Sequence, residues 1–183
     1  MAQQAAPPAA SASEQVAVQA FPPTIFLGEE PLKINGRGVR ERLFVKVYEM
    51  VLYTPSGSVG SMDELAKGDK PFRLRFQALR NIEGAGLGRI LIDGMTKNAK
   101  PELQATVLKH TNGIVEVFST QASLAKGQTF HIDYMPGKGT TFYIAETPRG
   151  KAVEGAEFAE LILGVWLGQH PASDALKAKL LGK

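Results

Sequence analysis

Between Phe72 and Phe76 the apolar side chains occupy every second position, with Arg73 and Arg75 between them. This is the two-residue period of a strand with one buried face and one polar face. Thr24–Leu27 and Leu32–Ile34 read as shorter strands, as does Val16–Val18, and Pro22-Pro23 restricts its neighbours to a sheet edge or a strand end. Asn35-Gly36 is a strong hairpin signal, and it predicts a tight turn into one long returning strand from about Val39 to Tyr53. Met62–Lys67 reads as a single helical turn behind Ser61 as N-cap.

The period then changes. Leu87, Leu91, Met95 and Asn98 recur at spacings of four, four and three, which is one face of a helix. That helix stops before Pro101, a residue suited to the first turn of the next one. The next helix carries Leu103, Val107, Ile114, Val117 and Phe118, with a break expected at Asn112-Gly113. Strands resume at Thr129–Tyr134 and Thr140–Ile144 about the turn Pro136–Gly139. A helix bearing Phe158, Leu161, Ile162, Val165 and Trp166 follows, then a final helix capped by Ser173 and ending at Gly182. Strands first, helices in the middle, and a hairpin with helices last make an α+β chain: a mostly antiparallel sheet with helices on one face. Such a layer leaves a cleft between sheet and helices where apolar ligands commonly bind.

At 183 residues the chain is one domain, placed at 16–183, with a flexible N-terminal tail at 1–15. The tail is Ala, Pro, Gln and Ser almost throughout and lacks the basic and apolar regions of an export signal. It reads either as the mature end left by signal cleavage, giving a periplasmic protein, or as a plain tail on a cytoplasmic one. The net charge of +3 is spread without a basic run, which disfavours nucleic acid and favours an anionic ligand. No apolar run approaches the ~18 residues of a membrane span. The absence of cysteine excludes disulfides, thiolate metal sites and a cysteine nucleophile.

Familiar catalytic templates do not fit. His110, His131 and His170 are isolated and show no metal-ligand spacing, so no metal or cofactor is expected. His131 and Asp133 share a strand face, and a serine from elsewhere would be needed to make a triad; two exposed side chains on a half-buried strand is the preferred reading. Gly137-Lys138-Gly139-Thr140 lacks the upstream glycine of a phosphate loop, having Ile132 there, and lies between strands. Gly84-Ala85-Gly86-Leu87-Gly88 spaces its glycines too tightly for a dinucleotide fingerprint and fits a loop entering a helix.

Three groups of residues carry a resemblance instead. They are Gly36-x-Gly38-Val39-Arg40 with Phe44-Val45-Lys46-Val47-Tyr48 and Leu52-Tyr53; Asp133-Tyr134-x-Pro136-Gly137-x-Gly139-Thr140; and Trp166-Leu167-Gly168 with Pro171, Leu176-Lys177 and Leu180-Leu181-Gly182. In this order, from about Pro22 to Lys183, they resemble the bacterial branch of the chalcone-isomerase-like family. The resemblance implies an open-faced β-sandwich, with a large antiparallel sheet, helices on one side and a ligand cleft between. It matches Arg40 to the family's anion-steadying arginine and Asn98 to its asparagine. Tyr48 stands at a threonine position, Leu91 at the catalytic tyrosine position and Val165 at a second threonine position. A cleft that has lost these hydroxyls is poorly equipped for acid–base work and is more apolar.

The set resembles the family's fatty-acid-binding branch, in which an arginine and a tyrosine hold a carboxylate. Arg40, Tyr48, Asn98, Leu91 and Val165 are therefore the candidate ligand-binding residues, and a long-chain fatty acid or similar amphiphilic anion is the expected partner. A weakly active chalcone isomerase-type enzyme and a protein-interaction module without a small ligand are the alternatives. One geometric condition attaches. Along a straight strand Arg40 and Tyr48 would stand roughly 26 Å apart, at about 3.3 Å per residue. They meet one carboxylate only if the chain bends between them, near Arg42-Leu43.

Overall fold

The structure is a computed structural model and describes residues 21–183. The tail at 1–15 and the strand expected at Val16–Val18 lie outside the described residues. Seven strands form one antiparallel sheet: β1 (Thr24–Leu27), β2 (Glu30–Arg42), β3 (Val45–Thr54), β4 (Phe72–Ala78), β7 (Thr129–Met135), β8 (Gly139–Ile144) and β9 (Thr147–Val153), neighbours in that order. The two-residue strands β5 (Ile82–Glu83) and β6 (Ser123–Leu124) pair separately. Between β3 and β4 lies the one-turn helix α1 (Asp63–Ala66). Helices α2 (Gly84–Asn98) and α3 (Gln104–Ser119) fill the connection from β5 to β6, joined through a 3-10 turn at Pro101–Leu103. Helices α4 (Ala156–Leu167) and α5 (Asp174–Leu180) end the chain.

The sheet is two-sided. Tyr48, Met50, Leu52, Leu74, Phe76, Phe130, Ile132 and Phe142 share one buried cluster with Leu87, Leu91, Met95, Val107, Phe118 and the inner residues of α4. That is the helix-covered face. On the other face a smaller apolar group, Leu27, Leu32, Val51 and Tyr53, contains no helical residue among those described. The alternation read at Phe72–Phe76 is borne out: even residues of β4 are buried and odd ones half-buried. The α+β architecture with a large antiparallel sheet is the one expected.

Helix α4 is the centre of the helical layer. Nine of its twelve residues, Phe158, Ala159 and Leu161 through Leu167, are buried. A helix apolar on every side has no solvent face to present and must be wrapped by other elements. It packs on α2 by close approach, because a Cβ on Gly94 would sit 2.7 Å from Val165 and one on Gly164 3.1 Å from the Cβ of Asn98.

Four local expectations are corrected. The hairpin is not at Asn35-Gly36. Strand β2 runs straight through with an irregular register there, and a Cβ on Gly36 would lie 2.1 Å from the Lys179 carbonyl oxygen. Asn35 donates to the carbonyls of Val59 and Leu180, both at 2.9 Å, and its oxygen accepts from Val59 N–H and the Thr54 hydroxyl. Asn-Gly here is a seat for the end of α5. The long strand Val39–Tyr53 is instead a hairpin, turning at Leu43-Phe44, whose φ values are 49° and 65°. Two adjacent positive φ values define the tight turn that suits twisted strands, a geometry that usually selects Asn and Gly.

Asn112-Gly113 is no break, since α3 continues through it. Ser61 is not the cap of α1: the cap position is Met62, which has no side-chain capping bond. By contrast, Ser173 Oγ does accept from Leu176 N–H at 3.2 Å and caps α5. Strand β9 was not foreseen. Its Pro148 and Gly150 weaken any strand pattern, and both are tolerated because β9 is the exposed edge of the sheet.

Candidate functional site

The hairpin at Leu43-Phe44 removes the geometric objection to a shared site. Arg40 and Tyr48 are direct cross-strand partners in the β2–β3 ladder, with a register shift just beyond them between Arg40 and Glu41. Side chains of directly opposed residues stand on one face with Cβ atoms about 4.5–5.5 Å apart. Both line a cleft of about 810 Å³, open to solvent, between the β2–β3 hairpin and α2.

Four stretches line it. The hairpin supplies Arg40, Arg42, Val45, Val47 and Tyr48. The link from β4 to β5 supplies Arg80, and β5 supplies Glu83. Helix α2 turns Gly86, Ile90, Asp93, Gly94 and Lys97 toward it. Val165 and the loop His170–Ala172 close the far side. Arg40, Arg42, Arg80 and Lys97 outnumber Glu83 and Asp93, so the cleft carries a positive excess suited to an anion.

Tyr48 is buried, with its ring edge-on to Phe76 at 5.5 Å between centroids. Its hydroxyl oxygen accepts the indole N–H of Trp166 at 2.9 Å. An indole is only a donor, so the Tyr48 hydroxyl keeps its own proton to give, and no described residue takes it. Burial raises its pKa, against the opposing influence of the Trp166 hydrogen bond and of Arg40. The phenol is therefore a neutral donor at ordinary pH. The Arg40 guanidinium gives one N–H to the Glu41 carbonyl. The rest of its fork makes no hydrogen bond to a described residue, and the geometry of a guanidinium suits a carboxylate as a bidentate partner.

The other candidates are divided by helical geometry. Val165 lines the cleft opposite Gly94, the α2 glycine that lets it approach. Leu91 belongs to the core and not to the wall. On α2 the residues Leu87, Leu91 and Met95 form the core stripe, whereas Gly86, Ile90, Asp93, Gly94 and Lys97 form the cleft stripe. A one-residue step is about 100° of rotation around a helix, enough to exchange the two faces.

Asn98 stands behind the wall. Its amide donates to the carbonyls of Gly94 and His170, both at 2.9 Å, and its oxygen accepts His170 N–H at 2.8 Å. It thereby pins the loop whose His170, Pro171 and Ala172 line the cleft. A periodic count along one helix could not separate these roles. Arg42, Arg80 and Lys97 were not singled out either, because a scattered surface cation in sequence looks the same whether or not a fold gathers it with others.

The pair His131 and Asp133 lies on the opposite face of the sheet and is buried, not exposed as expected. Asp133 takes two hydrogen bonds from Arg73, at 2.6 and 2.7 Å, and His131 stacks on Tyr143 with centroids 4.4 Å apart. Among the described residues no group of three or more metal-ligating side chains assembles, and no helix is long and apolar enough to cross a membrane.

Comparison with known proteins agrees with this architecture. A search of curated proteins finds no match. Among solved structures, a fatty-acid binding protein of Arabidopsis thaliana superposes with a TM-score of 0.66 over 88% of this chain and 90% of its own, at 17% identity. That likeness concerns the fold. The family model described as chalcone isomerase-like matches residues 13–182, nearly the whole length. With the seven-stranded antiparallel sheet and its helical layer in place, the chain belongs to the chalcone isomerase-like family.

Proposed function

We propose that this protein binds a long-chain fatty acid or a similar amphiphilic anion in the cleft between the β2–β3 hairpin and α2, without transforming it. The observation that carries the reading is the direct pairing of Arg40 with Tyr48 in the cleft lining, with Trp166 on the acceptor side of the phenol. The pair offers two donors, one permanently charged and one neutral, a combination suited to a carboxylate. The tail would lie along Val45, Val47, Ile90 and Val165, with each buried methylene contributing about 0.8 kcal/mol. The structural relative from Arabidopsis, a fatty-acid binding protein, lends support from a chain of the same fold.

Organic extracts of the purified protein, compared by mass spectrometry with those of Arg40→Ala, test this. Near-stoichiometric fatty acid in the wild type, sharply reduced in a variant of unchanged circular dichroism, is the expected result. Extracts free of amphiphilic anions, together with no uptake of added fatty acid, would overturn it.

A further inference from the structure

The tip of the β2–β3 hairpin has a composition that its backbone does not ask for. Leu43 and Phe44 adopt φ values of 49° and 65°, a conformation that bulky L-residues avoid and that Asn-Gly adopts readily. Neither residue gains burial in return: Leu43 is 84% exposed, Phe44 is fully exposed, and Val45 beside them is 42% exposed. Seven large apolar residues are exposed among those described, and these are the only three consecutive in sequence. Ile90, also exposed, lines the same cleft as Leu43 and Val45, so the apolar tip continues into the cleft mouth.

Around this tip the charges are mostly of one sign. Arg42 and Lys46 flank the turn as exposed residues, and Arg40 and exposed Arg80 stand at its base. Glu41, opposite Lys46, is the acid in the hairpin, and Glu83 and Asp93 are the acids of the adjoining cleft, where Arg40, Arg42, Arg80 and Lys97 outnumber them. An apolar point with a cationic collar is complementary to one kind of surface: an interface whose outer layer is anionic and whose interior is hydrocarbon.

We infer that the β2–β3 hairpin tip docks on anionic lipid bilayers, with Leu43 and Phe44 entering the headgroup–acyl boundary and Arg42 and Lys46 resting on lipid phosphates. The docking itself does not depend on what the cleft holds. Its use rests on the carrier reading above: a docked tip brings the cleft mouth against the membrane, where an amphiphile passes in or out without crossing water.

Flotation of the intact protein with phosphatidylcholine vesicles, with and without phosphatidylglycerol, tests the inference. Wild type is expected to float with the anionic vesicles, less with neutral ones and less at high salt. Phe44→Gly suits the local backbone and lies outside the cleft wall, so it is expected to fold at least as well and to reduce flotation by about tenfold. Lys46→Glu is expected to weaken flotation on the anionic vesicles specifically.

Failure of the wild type to float, or equal flotation of Phe44→Gly, would overturn docking. So would self-association in sedimentation velocity that Phe44→Gly abolishes, if no flotation accompanies it; the tip would then be a contact between copies. Fatty-acid uptake measured without vesicles separates the two readings. Flotation without uptake removes the carrier reading and leaves docking, whereas uptake without flotation does the reverse.

Discussion

Tyr48 shows how one hydrogen bond can assign a neighbour's chemistry. The indole N–H of Trp166 occupies a lone pair of the phenol and so leaves its proton for a ligand, while burial keeps the phenol neutral. Trp166 is the one tryptophan of the chain, so its fluorescence reports this contact without interference. Titration with a fatty acid should change its emission as the Tyr48 hydroxyl takes up the carboxylate. Tyr48→Phe should weaken binding by roughly ten- to a hundredfold, the worth of a hydrogen bond to a charged group at roughly 1.5–3 kcal/mol. It should also cost some stability, because the Trp166 N–H loses its acceptor. Unchanged affinity in Tyr48→Phe would remove this residue from the ligand site.

At the scale of elements, two glycines read alike in sequence have opposite meanings. Gly36 and Gly113 both follow asparagine. Added as a Cβ, the first meets the Lys179 and Leu180 carbonyl oxygens at 2.1 and 2.3 Å, backbone atoms that cannot swing aside. The second meets nothing within 4 Å, on an exposed face of α3. Gly36→Ala should therefore destabilise by roughly 1–3 kcal/mol or more by forcing α5 off the sheet. Gly113→Ala should stabilise by about 1 kcal/mol, the difference in helix propensity. Urea midpoints measured on both variants check this, and equal shifts of one sign would contradict the roles assigned.

At the scale of the whole molecule, the sheet holds two different interiors. The helix side is apolar, whereas the opposite side carries a charged group of Arg73, Arg75, Asp133, Glu146 and His131, with His131 nearly inaccessible. Burial first, and then Arg73 and Arg75 against the pull of Glu146, together lower the His131 pKa to about 3. The unfolded chain gains a proton on this imidazole as pH falls through its ordinary 6.5, and the folded protein does not until near 3. The stability so contributed is present above about 6.5 and is lost as pH falls, by up to about 1.4 kcal/mol per pH unit. Unfolding midpoints between pH ~7 and ~5 should decline in the wild type and decline less in His131→Gln. Parallel slopes in the two proteins would mean that His131 is not held neutral.

The class of fold and most of its elements were legible in the residue order, because those follow from periodicity. The two-residue period of Phe72–Phe76, the three-to-four spacing of Leu87, Leu91 and Met95, and the Ser173 cap each act within a few residues. The order of motifs also singled out Arg40 and Tyr48, but not that the two stand opposite each other across one ladder.

Where the chain turns depends on long-range packing. Asn35-Gly36 favours a local turn, but the docking of α5 recruits it into a continuous strand. Leu43-Phe44 has no turn chemistry and yet makes the hairpin, since pairing on both sides of it, Arg40 with Tyr48 and Arg42 with Val45, outweighs the local preference. The site followed from that turn. Arg40 faces Tyr48, Ile90 and not Leu91 lines the cleft, and Asn98 bonds the His170 loop, because each of these depends on which distant segment lies opposite.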